Sequence, residues 1–593
     1  MMGALERRSS ARIALLACVV WISHYALATH FGLWADDWEL IAPFINDTFA
    51  QSFHTFGDRI RFLTSDEGRP LEALLPGIAG LLIGATRSFV AGYVVGAVIV
   101  TTNVELLWRL TRRVSSAGVA WGVALAYVLS PVDLTRPLLE HPLILQLSVM
   151  FVLIGISRVA EGRIYQGVLI GSLALLVYET PFLLMAGAPL LSRDGWSRRR
   201  WIHYLPTLLA ALFAVALLRA VLGENRLTQS VGIRPAILVF WTGAGLIIGP
   251  LTSFVLAVCG PLRWVRLASL GTVTTADFPI AYLTLNALVA AAGVAVCARL
   301  RLWQRVRDLF TAGAGESGGD GTARIATIGG VLLPISYGLS FTHFPPTTSA
   351  GIHMSTHIGA SVAMAMILGA TGAWCWSAAD RRKQLLGRSA CALYLGGMFT
   401  TCLAVQREYA RAWDLHQKIY QGVLLNVAGL DEQTRVVINV SEPFEPFETV
   451  PAHDYFPEVL GMMIVPIPGD TGAARIAWPQ DPEPYDPRRW YHRLEPAWYR
   501  GGRLSSPSAI AFQTPRARRR ADGALEWRPD FESPEFELIG GRSVVRMDLR
   551  NGRLLPSDSS VTIAGLTIPT GRKRRGNLGL SRLGEIVMKG APR

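Results

Sequence analysis

Long apolar runs, separated by short connections rich in arginine, recur from Ala11 to Val405 of this 593-residue chain. Uncharged runs near 20 residues are the signature of helices that cross a bilayer. The first run, Ala11–Trp34, follows Arg7, Arg8 and Arg12. Ala26-Leu27-Ala28 has the look of a signal-cleavage site, but the run exceeds a signal-peptide core and more hydrophobic runs follow, so it reads as an uncleaved first span. Further spans are predicted near 86–108, 115–132, 142–158, 165–178, 180–192, 202–222, 279–298, 325–341, 357–377 and 389–405. Leu71–Gly84 is too short to cross and reads as an interfacial helix after a polar loop, Ala35–Pro70.

Two stretches depart from this regular pattern. Ala236–Cys259 is apolar enough to span, yet counting it would turn the Arg299–Arg307 cluster to the wrong side, so it reads as re-entrant or interfacial, with Gly249-Pro250 as its break. The thin pair 165–178 and 180–192 flanks Tyr178-Glu179-Thr180-Pro181. A carboxylate is expensive in lipid and proline interrupts a helix, which calls for a tight turn or a water-filled cavity there.

Beyond Gln406 the pattern changes. Tyr409, Trp413, His416, Tyr420 and Leu424 recur at helical spacing, and Thr434–Val440, Val459–Ile467 and Val561–Ile568 are β-branched runs typical of strands. The expected architecture is therefore an all-α polytopic membrane bundle of about 11 transmembrane helices over residues 1–405, followed by a soluble α+β extracytoplasmic domain over 406–593. Loose stretches are expected near 470–500 and 514–522.

Composition agrees with a membrane protein. Only 17% of residues are charged against about 25% in soluble domains, and the mean hydropathy is +0.32. A soluble enzyme, a secreted disulfide scaffold and a disordered chain are excluded. The net charge of +13 is almost all arginine, since lysine occurs only at 383, 418, 573 and 589. Arg109, Arg112, Arg113, Arg158, Arg163, Arg193, Arg198–Arg200, Arg299–Arg307 and Arg381–Arg388 flank spans on one side, while the loops 131–141 and 342–356 carry only Arg136. The positive-inside rule then puts the N-terminus in the cytoplasm, and an odd number of spans puts the C-terminal domain outside a bacterial inner membrane. No nucleic-acid partner is expected. The basic runs Arg516–Arg520 and Arg572–Arg575 read as solvated loops or contacts with anionic lipid. The six cysteines all lie in apolar stretches without CxxC spacing and read as buried small hydrophobes.

Candidate chemistry gathers on the outer side. Trp34-Ala35-Asp36-Asp37-Trp38-Glu39 sets an acidic pair and a third carboxylate at the membrane surface. Close carboxylates raise one another's pKa, and one of them can act as a general base. The same loop ends Asp66-Glu67-Gly68-Arg69-Pro70, whose arginine offers a fork suited to phosphate. Asp133, Arg136, Glu140 and His141 share a second outer loop, Arg219 lies near the outer end of its span, and His343, His353 and His357 cluster without a nearby carboxylate, a poor metal site.

A first span, an external loop opening with an acidic pair, then Gly-Arg-Pro-Leu and an interfacial helix resembles the GT-C class of polytopic glycosyltransferases, which includes the protein O-mannosyltransferases and the lipid A aminoarabinose transferases. Glu140-His141-Pro142, Tyr178-Glu179 and the segment Glu408-Tyr409-Ala410-Arg411-Ala412-Trp413 are similar to features of its bacterial members. The resemblance implies transfer of a sugar from a polyprenyl-phosphate donor to a glycan, lipid or protein acceptor, usually with inversion. It implies Asp36 or Asp37 as the base, with Glu140 as the second catalytic carboxylate. Arg69 and Arg219 would face the leaving phosphate, and Glu39, Glu179 and His141 would line the substrate site. Members that need a divalent metal such as Mg or Mn stand beside members that do not, and no metal ligand is assigned. Rival readings are a transporter or lipid-linked sugar flippase, and a non-catalytic scaffold with an envelope-binding domain.

Overall fold

A computed structural model describes residues 2–34, 36–192, 198–222, 224, 235–260, 320–339, 346, 352–377 and 380–425, with short segments between 435 and 589. The bundle is helical. Its elements are α1 (Met2–His24), α2 (Asp37–Leu40), α3 (Ala42–Asn46), α4 (Phe49–Asp66), α5 (Leu74–Thr86), α6 (Val90–Val114), α7 (Ala117–Val128) and α8 (Glu140–Ala160). They continue with α9 (Ile164–Ser172), α10 (Arg198–Val221), α11 (Pro235–Cys259), α12 (Asp320–Ile335), α13 (Ile358–Trp376), α14 (Arg381–Leu424) and α15 (Arg582–Val587).

Among the described residues, six helices are long and apolar enough to cross a membrane: Ser9–His30, Val90–Val114, Glu140–Ala160, Trp201–Val221, Met354–Trp376 and Arg382–Gly422. The chain is therefore an integral membrane protein by the length and composition of its helices. Shorter apolar helices stand at Leu74–Thr86, Ala117–Val128, Ile164–Leu176, Thr180–Leu191, Gly245–Val258 and Gly321–Ile335. The expected span 279–298 lies outside the described residues. Small residues let backbones approach closely where no hydrophobic force pulls helices together. A Cβ on Gly122 of α7 would meet the Gly369 carbonyl of α13 at 2.7 Å.

Three expectations need correction. The loop 35–70 is mostly helical: α2, α3 and α4 occupy it, and α4 starts at a capping box in which Thr48 Oγ1 accepts from the Gln51 amide while the Gln51 side chain accepts from the Thr48 amide. The stretch 235–259 is one continuous helix and does not break at Gly249-Pro250. Proline removes one backbone donor, toward the carbonyl four residues back, without ending the helix. Finally, the last span and the helix predicted from Gln406 are one 44-residue helix, α14, that runs through the expected domain boundary.

Beyond α14 the described chain is mostly strands. Arg435–Val440 pairs in parallel with Val544–Arg550 and antiparallel with Ala509–Gln513, and Arg553–Ser557 completes a four-stranded sheet. Two of the predicted strand runs appear shortened, at Ile464–Pro466 and as a hairpin of Val561–Ile563 with Leu566–Ile568. Arg516–Arg519, expected in a loose stretch, pairs with Leu525–Arg528. Residues 470–500 and Arg572–Arg575 lie outside the described residues.

The bundle has two chemically distinct ends. At one, Arg12 of α1 pairs with Glu105 of α6 (2.5 Å) and stacks over Trp108, and Arg113 pairs with Glu161 beyond α8. At the other, the Tyr93 hydroxyl near the start of α6 lies within hydrogen-bond reach of Gly32 O (2.7 Å) and Pro137 O (3.1 Å). The acidic doublet and the start of α8 meet at this second end.

Candidate functional site

Asp37 is the pivot. Its Oδ2 accepts from the Trp34 amide (2.9 Å) and its Oδ1 from the Glu140 amide (2.7 Å), so it caps α8 from a segment 103 residues away in sequence. It is fully buried. Burial pushes its carboxyl up to about 8, and the neighbouring Asp36 adds to this, while the amides of Trp34, Glu140 and Leu139 pull the other way. Asp36, next to it, is only half-buried.

The aromatic stripe of α14 holds this turn from behind. Trp34 packs edge-on against Trp413 and Tyr409 and lies 5.0 Å from the His416 ring, while Trp38 meets Tyr420 at 5.9 Å. Periodicity predicts the helix. The tryptophans flanking the doublet are what its aromatic face packs on.

Glu140, at the first turn of α8, is buried and within electrostatic range of Asp36, Asp37, Glu67 and Glu72. One oxygen faces His141 Nε2 at 3.3 Å, and the other, Oε2, has no hydrogen-bond partner among the described residues. Arg69 sits beside this group. Its Nε and Nη2 form a fork on Glu179 (3.0 and 2.9 Å), Nη1 reaches Glu67 (2.8 Å), Glu72 lies at 3.7 Å, and the guanidinium stacks on Tyr178. Burial works against its charge, but Glu179, Glu72 and Glu67 outweigh this and hold it protonated.

Arg219, from the far end of α10, donates to Leu175 O and reaches Glu179 (3.3 Å) and Glu224 (3.8 Å), and its Nε has no partner among the described residues. Gly68 makes the approach possible. It adopts φ +68°, a conformation that favours glycine, and a Cβ there would meet the Glu224 carboxylate at 2.6 Å.

The structure thus brings together Asp36, Asp37, Arg69, Glu140, Glu179 and Arg219 from five separate stretches of sequence. Glu39 is held elsewhere, on Arg59 at 3.0 Å. His141 turns its other nitrogen away from the cluster, to Thr135 Oγ1 at 2.5 Å. Glu72 and Glu224 escaped the sequence reading, although an acid at the head of the apolar run 71–84 is itself a signal. His357 is buried with Tyr337 (2.5 Å) and Ser253 and works as a packing pin between α11, α12 and α13. His343 and the His353 side chain lie outside the described residues. Among the described residues no group of three or more His, Cys, Asp or Glu is arranged to hold a metal ion.

Chemically the group is anionic. Seven carboxyls (Asp36, Asp37, Glu67, Glu72, Glu140, Glu179, Glu224) surround two guanidinium groups. Such an arrangement can accept a proton from a hydroxyl and, through arginine, meet an anion. No family model, no curated protein and no solved structure matches the chain.

Proposed function

We propose that the chain is a membrane glycosyltransferase of the GT-C type with about eleven spans. In this reading it moves a sugar from a polyprenyl-phosphate donor to an envelope glycan, lipid or protein acceptor on the outer face of a bacterial inner membrane. The N-terminus is cytoplasmic and the C-terminal domain lies outside. The observation that carries the reading is the convergence of the acidic doublet, Glu140, Arg69, Glu179 and Arg219 at the bundle end opposite the Arg12–Arg113 cluster. A lipid-linked sugar needs its chain in the bilayer and its anomeric carbon in water, and a bundle end meets both needs.

Roles divide by burial and by free donors. Asp36, half-buried beside a fully buried partner, is the general base that takes the acceptor's proton. Asp37 positions α8 against the doublet. Arg219 meets the leaving phosphate, because Arg69 already spends its donors on Glu179 and Glu67 whereas Arg219 Nε has no partner among the described residues. Arg69 holds Glu179 in place.

The test uses the full chain in proteoliposomes with radiolabelled polyprenyl-phosphate sugars and envelope extract as acceptor. A new glycoside that disappears in Arg219→Gln supports the reading. Donor carried across the bilayer with no new glycoside would point to a flippase and overturn it.

A further inference from the structure

Behind Glu140 runs a chain of buried polar groups whose hydrogen-bond directions can be read one after another. Asp133 accepts from Thr135 N (3.2 Å) and Thr135 Oγ1 (2.7 Å) on Oδ1, and from Gln146 Nε2 (3.0 Å) on Oδ2, with Arg136 Nε at 3.4 Å. The Gln146 amide is oriented by its far side, where Oε1 accepts from Tyr127 OH (2.6 Å) and Asn103 Nδ2 (2.9 Å). Among the described residues each hydrogen-bonding partner of Asp133 is therefore a donor, and the group is a carboxylate. Burial works against that charge, but Arg136 and the Thr135 bonds outweigh it and hold Asp133 below the usual carboxylate range.

The consequence passes outward. Thr135 has one hydroxyl proton, and Asp133 takes it. Thr135 Oγ1 can then only accept from His141 Nδ1, 2.5 Å away, which makes Nδ1 the protonated nitrogen. A neutral His141 so oriented presents a bare Nε2 to Glu140 Oε1 at 3.3 Å. Two lone-pair-bearing atoms 3.3 Å apart in a buried site repel, and a proton between them relieves this.

We propose that Asp133, Thr135, His141 and Glu140 form one relay in which His141 and Glu140 share a single proton, with His141 as the positioning residue that keeps Glu140 from adding a full negative charge beside Asp36. The shared proton's use in catalysis rests on the glycosyl-transfer reading. The donor–acceptor order does not. Other titratable or charged groups facing the pair are Asp36 and Asp37 from the doublet, Glu67 and Glu72 ahead of α5, and Tyr409 of α14, with Arg136 beyond Asp133. In the transfer step, the acceptor O–H bond breaks and its proton goes to the Asp36 carboxylate. The acceptor oxygen bonds the anomeric carbon, and the carbon–phosphate oxygen bond breaks with its electron pair leaving on phosphate. The relay's proton count is unchanged, and its effect is to leave Asp36 as the charged base.

The experiment measures the tautomer of His141 by nitrogen NMR on full-length protein labelled with ¹⁵N-histidine in lipid nanodiscs, the signal being assigned by its loss in His141→Gln. The expected result is a proton on Nδ1 in wild type, lost or mixed in Thr135→Val and restored in Thr135→Ser. A bare Nδ1 in wild type overturns the proposal. In the transfer assay, Thr135→Val should lower kcat/KM about tenfold, the rate equivalent of one lost hydrogen bond, and displace the pH profile, with Thr135→Ser close to wild type. A wild-type profile in Thr135→Val overturns the catalytic use of the relay. If the tautomer is as stated but no glycoside forms at any pH, the transferase reading fails and the relay stands.

Discussion

The doublet gives the sharpest test of the site, because the two aspartates should respond differently to the same isosteric change. In Asp37→Asn the side chain keeps its shape but has one oxygen where two were used. Trp34 N and Glu140 N approach different oxygens at 2.9 and 2.7 Å, so either orientation of the amide loses one bond and turns N–H toward N–H. Leaving one buried backbone donor unsatisfied costs about 1–3 kcal/mol. The charge change is small near neutrality, since burial already pushes the Asp37 carboxyl up to about 8. Asp37→Asn should therefore weaken the protein by that amount while lowering transfer by no more than about tenfold, the scale of one positioning bond. Asp36→Asn deletes the base and should lower transfer by roughly 10²–10⁴. Radiolabelled donor in proteoliposomes reads transfer, and thermal unfolding of purified protein followed by tryptophan fluorescence reads stability. The reverse pattern, with Asp36→Asn active and Asp37→Asn dead but stable, would refute the division of roles.

Further outcomes follow from the same contacts. The folded state holds the Asp37 proton more tightly than the unfolded chain, so its contribution to stability is full below about pH 4 and is lost as pH rises through about 8. The melting-temperature gap between wild type and Asp37→Asn should accordingly narrow from pH 6 to pH 9, and a widening gap would contradict it. Arg69→Met strands Glu179, Glu67 and Glu72 around a buried site and should cost about 3–5 kcal/mol, with Arg69→Met/Glu179→Gln recovering part of the loss. Equal melting in single and double variants would show that the fork is not coupled. At the chain's end, Arg582 Nη1 donates to Asp47 O (2.9 Å), Leu583 N to Asn46 Oδ1 (2.9 Å), and Gln421 Nε2 to Val587 O (2.8 Å). Truncation after Asn577 should therefore speed hydrogen exchange across 37–46 while leaving 146–160 unchanged, and no change at 37–46 would mean that α15 does not brace the doublet.

The linear pattern was enough to show a membrane protein, because a bilayer demands runs of apolar residues of a fixed length and leaves charge only at their ends. It also marked Asp36, Asp37, Arg69, Glu140, Glu179 and Arg219, since a charge at the edge of an apolar run is costly unless it has work to do. It misread 35–70 as a loop because α2 and α3 are too short to show a period, and the 18-residue α4 mixes charge through an apolar stripe. It broke α11 at Gly249-Pro250 because local rules treat proline as a stop, whereas membrane helices tolerate it in their interior. Which aspartate is buried, which arginine has a donor to spare, and which way a proton points between His141 and Glu140 depend on distances between residues up to 110 positions apart. Sequence spacing does not encode such distances. Only packing sets them, and with them the desolvation and the hydrogen-bond partners that separate one carboxylate from the next.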